Sequence, residues 1–373
     1  MIATSLQERI IHRIEAQGAL TFADYMRMAL YEPGYGYYVN DAARVGWEGD
    51  FYTSTDVSDF FAHCMGRQLV QMWKQLGQPA PFIVLEQGAG RGNLARGVRT
   101  WAAHEAPDLH SVLEYHAEDI GTGHDALQTS QEVSNQQTPH VILSNELVDA
   151  FPVHLVEKRD DTLYEIYVTL DGGRLREALG EPSSPEVATY LDSYNIPWQT
   201  FADGWRAEIN LDAQRWMQRT ARLFATTSSA STDRRGFLLT IDYGDEAEKL
   251  YIPDRQRGTL ACYYRHQLTE RLLTRPGEQD ITAHVNFTAL IREGERQGLH
   301  LESFGTQEQW LKQMGIQDEL ALIRQRDFAI LDTDRGSDRG QVALFQWYNL
   351  RQQVSALTDP HGMGNFKVLL LSC

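Results

Sequence analysis

Three stretches place acids, amides or bare backbone just past an apolar run, where a strand end could present them to a ligand. The first is Leu85-Glu86-Gln87-Gly88-Ala89-Gly90-Arg91-Gly92-Asn93-Leu94, following Phe82-Ile83-Val84. Glycine accepts positive φ and lets a ligand touch the main chain, and a helix opening near Asn93 adds N–H groups that need partners. This is a nucleotide-type loop. The dinucleotide fingerprint G-x-G-x-x-G requires glycine where Asn93 stands, and the G-K-[ST] of a Walker loop is missing. An acid followed by alternating glycines instead suits S-adenosylmethionine. Glu86 would lie near the ammonium of its amino-acid end, and Gly88, Gly90 and Gly92 would admit the methionyl and ribose parts.

The second stretch closes the run Val112 to Ala117 with Glu118, placed to accept both ribose hydroxyls, and Asp119 competes for that role. The third is Val141-Ile142-Leu143-Ser144-Asn145-Glu146-Leu147-Val148-Asp149-Ala150-Phe151-Pro152. In a wound sheet the residues past the central strands line the ligand crevice, so Asn145 and Glu146 should face the sulfonium or the incoming nucleophile. Asp149 shares a face with Glu146 if a helical turn begins there. Methyl transfer needs a nucleophile held in line with the S–CH₃ bond, and carboxylates suit a guanidinium, whose pKa exceeds about 12. The structural alternative is a helix N-terminus whose acids meet the helix dipole. His284, within Asp280-Ile281-Thr282-Ala283-His284, is a candidate proton acceptor or pocket residue, or else a hydrogen-bonded loop histidine. Ligand spacing is missing from the other histidines and from Cys64, Cys262 and Cys373, so no metal is expected.

Positioning these groups together requires a sheet. The unbroken run at Phe82 reads as a central parallel strand, with further strands at Val112 to Ala117, Val141 to Leu143 and Phe237 to Ile241. Helical patterns lie between them, notably Asp212 to Phe224, which makes a wound α/β fold. Leu6, Ile10 and Ile14 mark a first helix, and Thr21 with Asp24 opens a second through Leu30. A third helix is expected from Val57 to Leu76, capped by Asp56. Glu32 to Tyr38 is a turn rich in glycine and aromatic rings, and Tyr164 to Gly173 is a hairpin within an inserted segment. The organisation expected is a helical and lid segment over 1–80, core over 81–154, an insertion over 155–210, core again over 211–245, a substrate lid over 246–285 and a last core part over 286–373. The 373 residues carry 34 Lys plus Arg against 51 Asp plus Glu, a net charge of −17. That balance argues against nucleic-acid or anionic-membrane partners. No run reaches the roughly 18 apolar residues of a membrane span. Neither a signal core nor a transit peptide is visible at the N-terminus, and the three cysteines suit a reducing compartment, so a cytoplasmic location is expected.

Several blocks in order resemble the MidA-like, S-adenosylmethionine-dependent methyltransferases, whose mitochondrial branch is a complex I assembly-factor methyltransferase. They are Tyr31-Glu32-Pro33-Gly34-Tyr35-Gly36-Tyr37-Tyr38, Gly49-Asp50-Phe51-Tyr52-Thr53-Ser54, the Glu86 to Gly92 loop, Asn145 to Val153, Ile241-Asp242-Tyr243-Gly244, Gly258 to Tyr263, Pro276 to Phe287 and Met363 to Leu369. Gln87-Gly88-Ala89 departs from the usual Gly-Pro, and Asn286 from the usual Asp. The resemblance implies a class I, Rossmann-like fold with a seven-stranded, mostly parallel sheet, an N-terminal helical cap and insertions. It also implies S-adenosylmethionine as cofactor, held in part by Thr53 and Ser54. The implied activity is methylation of a protein arginine, with a respiratory-complex subunit as the family's example of a partner. Glu146, Asp149, the net charge and a guanidinium stack on Tyr35 or Tyr37 fit that acceptor. A small-molecule oxygen or nitrogen acceptor, and an assembly factor that binds cofactor without turnover, stay open.

Overall fold

Ser5 and Thr21 begin the first two helices, Leu6–Gln17 (α1) and Phe22–Tyr31 (α2), each side chain accepting a backbone N–H three residues on, from Glu8 and Asp24. The structure is a computed structural model that describes residues 5–40, 54–119, 138–224, 235–264 and 267–373. After α2 the chain doubles back on itself. Gly34 has φ +74, and a Cβ on Gly36 would fall 2.5 Å from the Tyr31 nitrogen, so only glycine lets the loop lie this close. The N–H groups of Tyr37 and Tyr38 then donate to the carbonyls of Ala29 and Leu30, each at 3.0 Å. This turn lays Tyr38 against Tyr31, ring centroids 5.6 Å apart and stacked.

The third helix differs from its expected start. A short helical turn spans Ser54–Val57, Ser58 is extended, and Asp59–Gln75 (α3) begins with Ser58 Oγ accepting the Phe60 N–H. A serine at that break caps the helix, which displaces the role expected for Asp56, whose side chain lies outside the described residues. Thr53 and the Gly49-Asp50-Phe51-Tyr52 block also lie outside them.

Phe82–Gln87 (β1) is buried at every position. After it come Asn93–Glu105 (α4), Leu113–Glu118 (β2) and Val141–Asn145 (β3), then Leu211–Arg222 (α5) and Phe237–Asp242 (β4). Phe287–Arg296 (α6), His300–Thr306 (β5) and Lys367–Ser372 (β6) complete the layers. The sheet order is β5-β6-β4-β3-β1-β2. The four strands β2, β1, β3 and β4 run parallel, and β6 is antiparallel to both neighbours. Among the described residues the sheet has six strands against the seven expected, and residues 120–137, between β2 and β3, lie outside the described residues. Alternation along each strand builds two cores. Phe82, Val84, Val141 and Leu143 pack under Phe61, Met65 and Val98 of α3 and α4. Leu85, Ile142 and Leu238 pack under Trp216, Met217 and Leu290 of α5 and α6. Each such side chain contributes about 1.5–3 kcal/mol on burial.

A second, antiparallel sheet of strands His154–Arg159, Thr162–Asp171, Arg174–Gly180 and Arg206–Ile209 stands beside the first. The turn at Gly172-Gly173 is as the hairpin reading expected. Leu20 and Thr21 pair with Val168 and Tyr167, which stitches the N-terminal helices onto this sheet. A smaller three-stranded antiparallel sheet, in which Ala261–Tyr264 pairs with both Gln267–Thr269 and Asp280–Thr282, packs Cys262 and Ile281 against α2.

Two glycines set the distance between α3 and α4. A Cβ on Gly66 would lie 2.2 Å from the Trp101 ring, and one on Gly97 would lie 2.5 Å from Ala62 Cβ. Gly66→Val is expected to destabilise the fold by about 1–3 kcal/mol through overpacking, read as a lower urea midpoint. An unchanged midpoint would show that α3 and α4 are not in contact there.

Candidate active site

Parallel pairing brings the ends of β1, β2, β3 and β4 to one edge, with Gln87 beside both Glu118 and Ser144, and Asn145 beside Ile241. The glycine loop leaves β1 with Gly88 at φ +74, Gly90 at +52 and Gly92 at +70. Ala89 N–H donates to the Glu118 carbonyl at 2.9 Å, and Gly90 N–H to Asp119 Oδ2 at 2.6 Å. Asp119 thus closes the loop, while Glu118 is buried at the end of β2. A Cβ on Gly90 would meet nothing within 4 Å, whereas one on Gly88 would strike Leu147 Cδ1 at 2.8 Å. The loop therefore has one face packed and one face open to a ligand. Gln87, a departure from the usual family residues, fixes the loop to α5, because its Oε1 accepts from Trp216 Nε1 at 2.9 Å and from Thr220 Oγ1 at 3.3 Å.

Glu86 is buried under this loop. Desolvation pushes its carboxyl up to about 7; the Tyr115 hydroxyl, donating at 2.9 Å, opposes the rise and the charge of Asp119 adds to it.

At the end of β3 the chain takes an uncommon path. Glu146 adopts φ +52, a left-handed conformation that is costly for a residue with a Cβ, and its N–H donates to the Ile241 carbonyl at 2.8 Å. Glu146 Oε1 accepts from Ser54 N at 2.8 Å and from Asn145 Nδ2 at 3.0 Å. Asn145 Oδ1 is buried with no hydrogen-bond partner among the described residues. The helical turn begins only at Val148, so Glu146 and Asp149 do not share a helical face, which corrects that expectation. Ser54 is fully buried, its hydroxyl donating to Gln307 Oε1 at 3.3 Å.

Asp149 joins a different group. Tyr243 OH donates to its Oδ2 at 2.5 Å, and its Oδ1 is buried without a hydrogen-bond partner among the described residues. Desolvation pushes this carboxyl up to about 6, against the pull of the Tyr243 hydrogen bond. Asp242, fully buried at the end of β4, accepts the N–H groups of Val148 at 2.9 Å, Asp149 at 3.2 Å and Tyr243 at 2.9 Å. Burial, with the charges of Asp149 and Glu146, raises its pKa well above the carboxylate range. Tyr31 OH donates to the Ala150 carbonyl at 2.9 Å.

His284 sits at the rim. Its ring meets the edge of Tyr243 at 5.4 Å, and its N–H donates to Thr259 Oγ1 at 3.0 Å. The imidazole reaches solvent yet is crowded by its neighbours; that desolvation, with the Arg255 charge acting the same way, pushes its pKa down to about 4. The stacking surface expected at Tyr35 or Tyr37 is occupied. Tyr37 is buried in the α1–α2 core, and Arg9 already covers Tyr35 at 4.6 Å. The rings that do face the site are Tyr31, Tyr38 and Tyr243, half-buried beside Asp149.

Asp242, Tyr243, Tyr31 and Tyr38 stand outside the expected site residues, although they lie in the Ile241 to Gly244 and Tyr31 to Tyr38 blocks. Asp242 ends an apolar run at Phe237 to Ile241 just as Glu86 ends the one at Phe82, so the same signal would have found it.

An open glycine face, a strand-end carboxylate at Glu118 and a buried, unpartnered amide oxygen at Asn145 fit an amino-acid-bearing nucleoside ligand such as S-adenosylmethionine. Comparisons with known proteins agree. The family described as S-adenosyl-L-methionine-dependent methyltransferase matches residues 64–305. The chain is 26% identical to the mitochondrial protein arginine methyltransferase NDUFAF7 homolog of Drosophila melanogaster, over 98% of this chain and 84% of that protein. It is 27% identical to NDUFAF7 of Rattus norvegicus, over 86% of this chain and 76% of that protein. A Burkholderia thailandensis protein solved with S-adenosyl-homocysteine superposes with a TM-score of 0.80 at 28% identity, covering 99% of this chain and 92% of the other.

Glu86 carries a stability signature. A carboxyl raised from about 4.5 to about 7 favours folding only while protonated, so its penalty grows as pH rises through that window. Glu86→Gln removes the charge and keeps an acceptor for Tyr115. Its stability relative to the parent is expected to rise by about 1–3 kcal/mol between pH 5 and pH 8, measured by urea unfolding at both. A difference that stays constant with pH would contradict the raised value.

Proposed function

Because this chain belongs to the family of S-adenosyl-L-methionine-dependent methyltransferases, we propose that it transfers the methyl group to the guanidinium of a protein arginine. The observation that carries this reading is the Asp149 carboxylate, buried, bonded to Tyr243 and engaged in none of the ion pairs among the described residues. A buried carboxylate without a cation is costly, and a cationic acceptor offsets that cost. The names of the relatives from fly and rat support the same acceptor.

Bound S-adenosylmethionine supplies a methyl group on a sulfonium, whose S–CH₃ electron pair returns to sulfur. The residues that would hold it are Glu86, Gly88, Gly90 and Gly92 on the amino-acid and ribose side, Glu118 on the ribose hydroxyls and Asn145 near the sulfonium, with Ser54 at the cover; Thr53, expected beside it, lies outside the described residues. Asp119 acts by closing the glycine loop. Glu146 positions: by accepting from Ser54 and Asn145 it ties the cover to the strand end. As the acceptor nitrogen forms its N–CH₃ bond it must lose one proton, and desolvation raises the Asp149 carboxyl while it lowers the His284 imidazole, which favours Asp149 as the base. His284 lines the rim. The partner is then a protein, with a respiratory-complex subunit as the case the resemblance favours. The free cysteines suit a reducing, cytoplasmic setting.

The test incubates a lysate lacking this protein with the enzyme and methyl-labelled S-adenosylmethionine. The reading expects label in protein, released as methylarginine on hydrolysis; label confined to small molecules, or binding of cofactor with no transfer, would overturn it. Two variants separate the roles. Glu118→Ala should weaken S-adenosylmethionine binding by about 2–3 kcal/mol in calorimetry. Asp149→Asn should retain cofactor binding and lose about 10²–10⁴ in rate. In the parent the rate should fall as pH drops through about 6, where Asp149 takes up its proton; a flat profile from pH 5 to 8 would remove Asp149 from that role.

A further inference from the structure

The second sheet reaches the rim of the site through one buried carboxylate. Glu208 lies on the strand Arg206–Ile209, 5% exposed, and pairs with Leu155 on the strand that leaves the Asp149 turn. Its Oε1 accepts the N–H groups of Thr259 at 2.8 Å and Leu260 at 3.2 Å, and its Oε2 accepts the Thr259 hydroxyl at 2.9 Å. The loop is shaped to this contact: Gly258 stands at φ +72, where a Cβ would fall 2.1 Å from Glu208 Oε1. The Thr259 hydroxyl has a second task, because its oxygen also accepts the His284 N–H at 3.0 Å. On either side of His284, Ala283 N–H donates to the Asp149 carbonyl and Val285 N–H to the Tyr243 carbonyl, each at 2.9 Å. Three successive N–H groups thus end on three separate elements, and the middle one ends on Thr259.

Asp149 and Tyr243 follow different strands, β3 and β4, so the short bond between their side chains depends on what holds the two backbones in register. The segment Ala283-His284-Val285 bonds both, and the His284 ring stands edge-on to Tyr243 with centroids 5.4 Å apart. A hydroxyl by itself is a free rotor. An ionised acceptor takes the Thr259 proton in one direction, which turns the oxygen lone pairs toward His284 N–H and strengthens the bond they make. We propose that Glu208 and Thr259 are positioning residues for methyl transfer: Glu208 orients the Thr259 hydroxyl, and that hydroxyl fixes the segment that holds Tyr243 against Asp149. This rests on the reading of Asp149 as the group that receives the proton, and not on which molecule brings the acceptor nitrogen. No covalent bond changes at Glu208 or Thr259.

The test compares Thr259→Val, which keeps the shape of the side chain and the backbone N–H on Glu208 but removes the hydroxyl, with Thr259→Ser, which restores it. In the full chain with methyl-labelled S-adenosylmethionine and lysate, Thr259→Val should lower the maximal rate about fivefold or more and leave KM for S-adenosylmethionine within about twofold. Thr259→Ser should recover to within about twofold of the parent rate. The Asp149 carboxyl supplies a readout that simple pinning of the loop would not move. The Tyr243 hydrogen bond holds its pKa down against burial, so loosening that bond should raise the midpoint seen by ¹³C NMR of labelled aspartate, by about 0.5 or more in pH. Glu208→Gln keeps the size and one acceptor oxygen, and it should move the midpoint in the same direction even if Thr259→Val folds poorly. A midpoint unmoved in both variants, or a loss of rate in Thr259→Ser as large as in Thr259→Val, would overturn the proposal. Asp149→Asn keeps the two claims apart: if it retains the parental rate, the base reading falls and takes this proposal with it. An unmoved midpoint beside an inactive Asp149→Asn would sink the proposal alone.

Discussion

One buried carboxylate fastens the catalytic edge of this protein. Asp242 ends β4 and accepts three backbone N–H groups, two from the turn that follows β3 and one from its own successor. Those three bonds fix where Asp149 and Tyr243 stand, and the Tyr243 hydroxyl then bonds the Asp149 carboxylate. The arrangement is expensive. Asp149 and Asp242 are both desolvated, and burial together with their mutual repulsion raises the pKa of Asp242 well above the ordinary range. A cluster that costs this much by itself is suited to a cation, and the chemistry of transfer requires that one proton leave the acceptor. On the proposed reading, binding and proton removal draw on the same groups.

The cofactor side obeys a different constraint, the backbone path at Glu146. A non-glycine residue at positive φ costs on the order of 1–3 kcal/mol and persists only where its surroundings over-determine it. Here they do: Ile241 holds its N–H and Ser54 and Asn145 hold its carboxylate. The left-handed turn aims Glu146 at the N-terminal segment and lets the chain re-enter a short helix at Val148. Two acids three residues apart therefore serve two sides of the site, Glu146 bonding Ser54 and Asn145, and Asp149 bonding Tyr243, where the proposed reading puts the acceptor.

Much of this was legible in the sequence where the signal is local. The unbroken run at Phe82 and the glycines after it specify a buried strand and a ligand loop without help from the rest of the chain, and the polar ends at Glu118 and Asn145 follow from the same logic. What escaped depends on distant pairing. Asp280 reaches Tyr38 only because the strand Asp280–Thr282 packs on α2, and the choice of Tyr31 and Tyr38 over Tyr35 and Tyr37 follows from Arg9 covering one ring and the core burying another. The separation of Glu146 from Asp149 turns on one φ angle that residue type disfavours. Ser58 rather than Asp56 caps α3 because both are good caps and only the position of the break decides.

The proposed acceptor role depends most on Asp149 being a buried carboxylate whose pKa burial raises. Titrating the full chain with ¹³C-labelled aspartate and following the Asp149 carboxyl carbon by NMR measures this directly, with Asp149→Asn identifying the signal. A midpoint near 6 is predicted, moving downward when Nα-acetyl-L-arginine amide is added to the protein saturated with S-adenosyl-homocysteine. A midpoint near the ordinary value of about 3.9, unmoved by that probe, would contradict it.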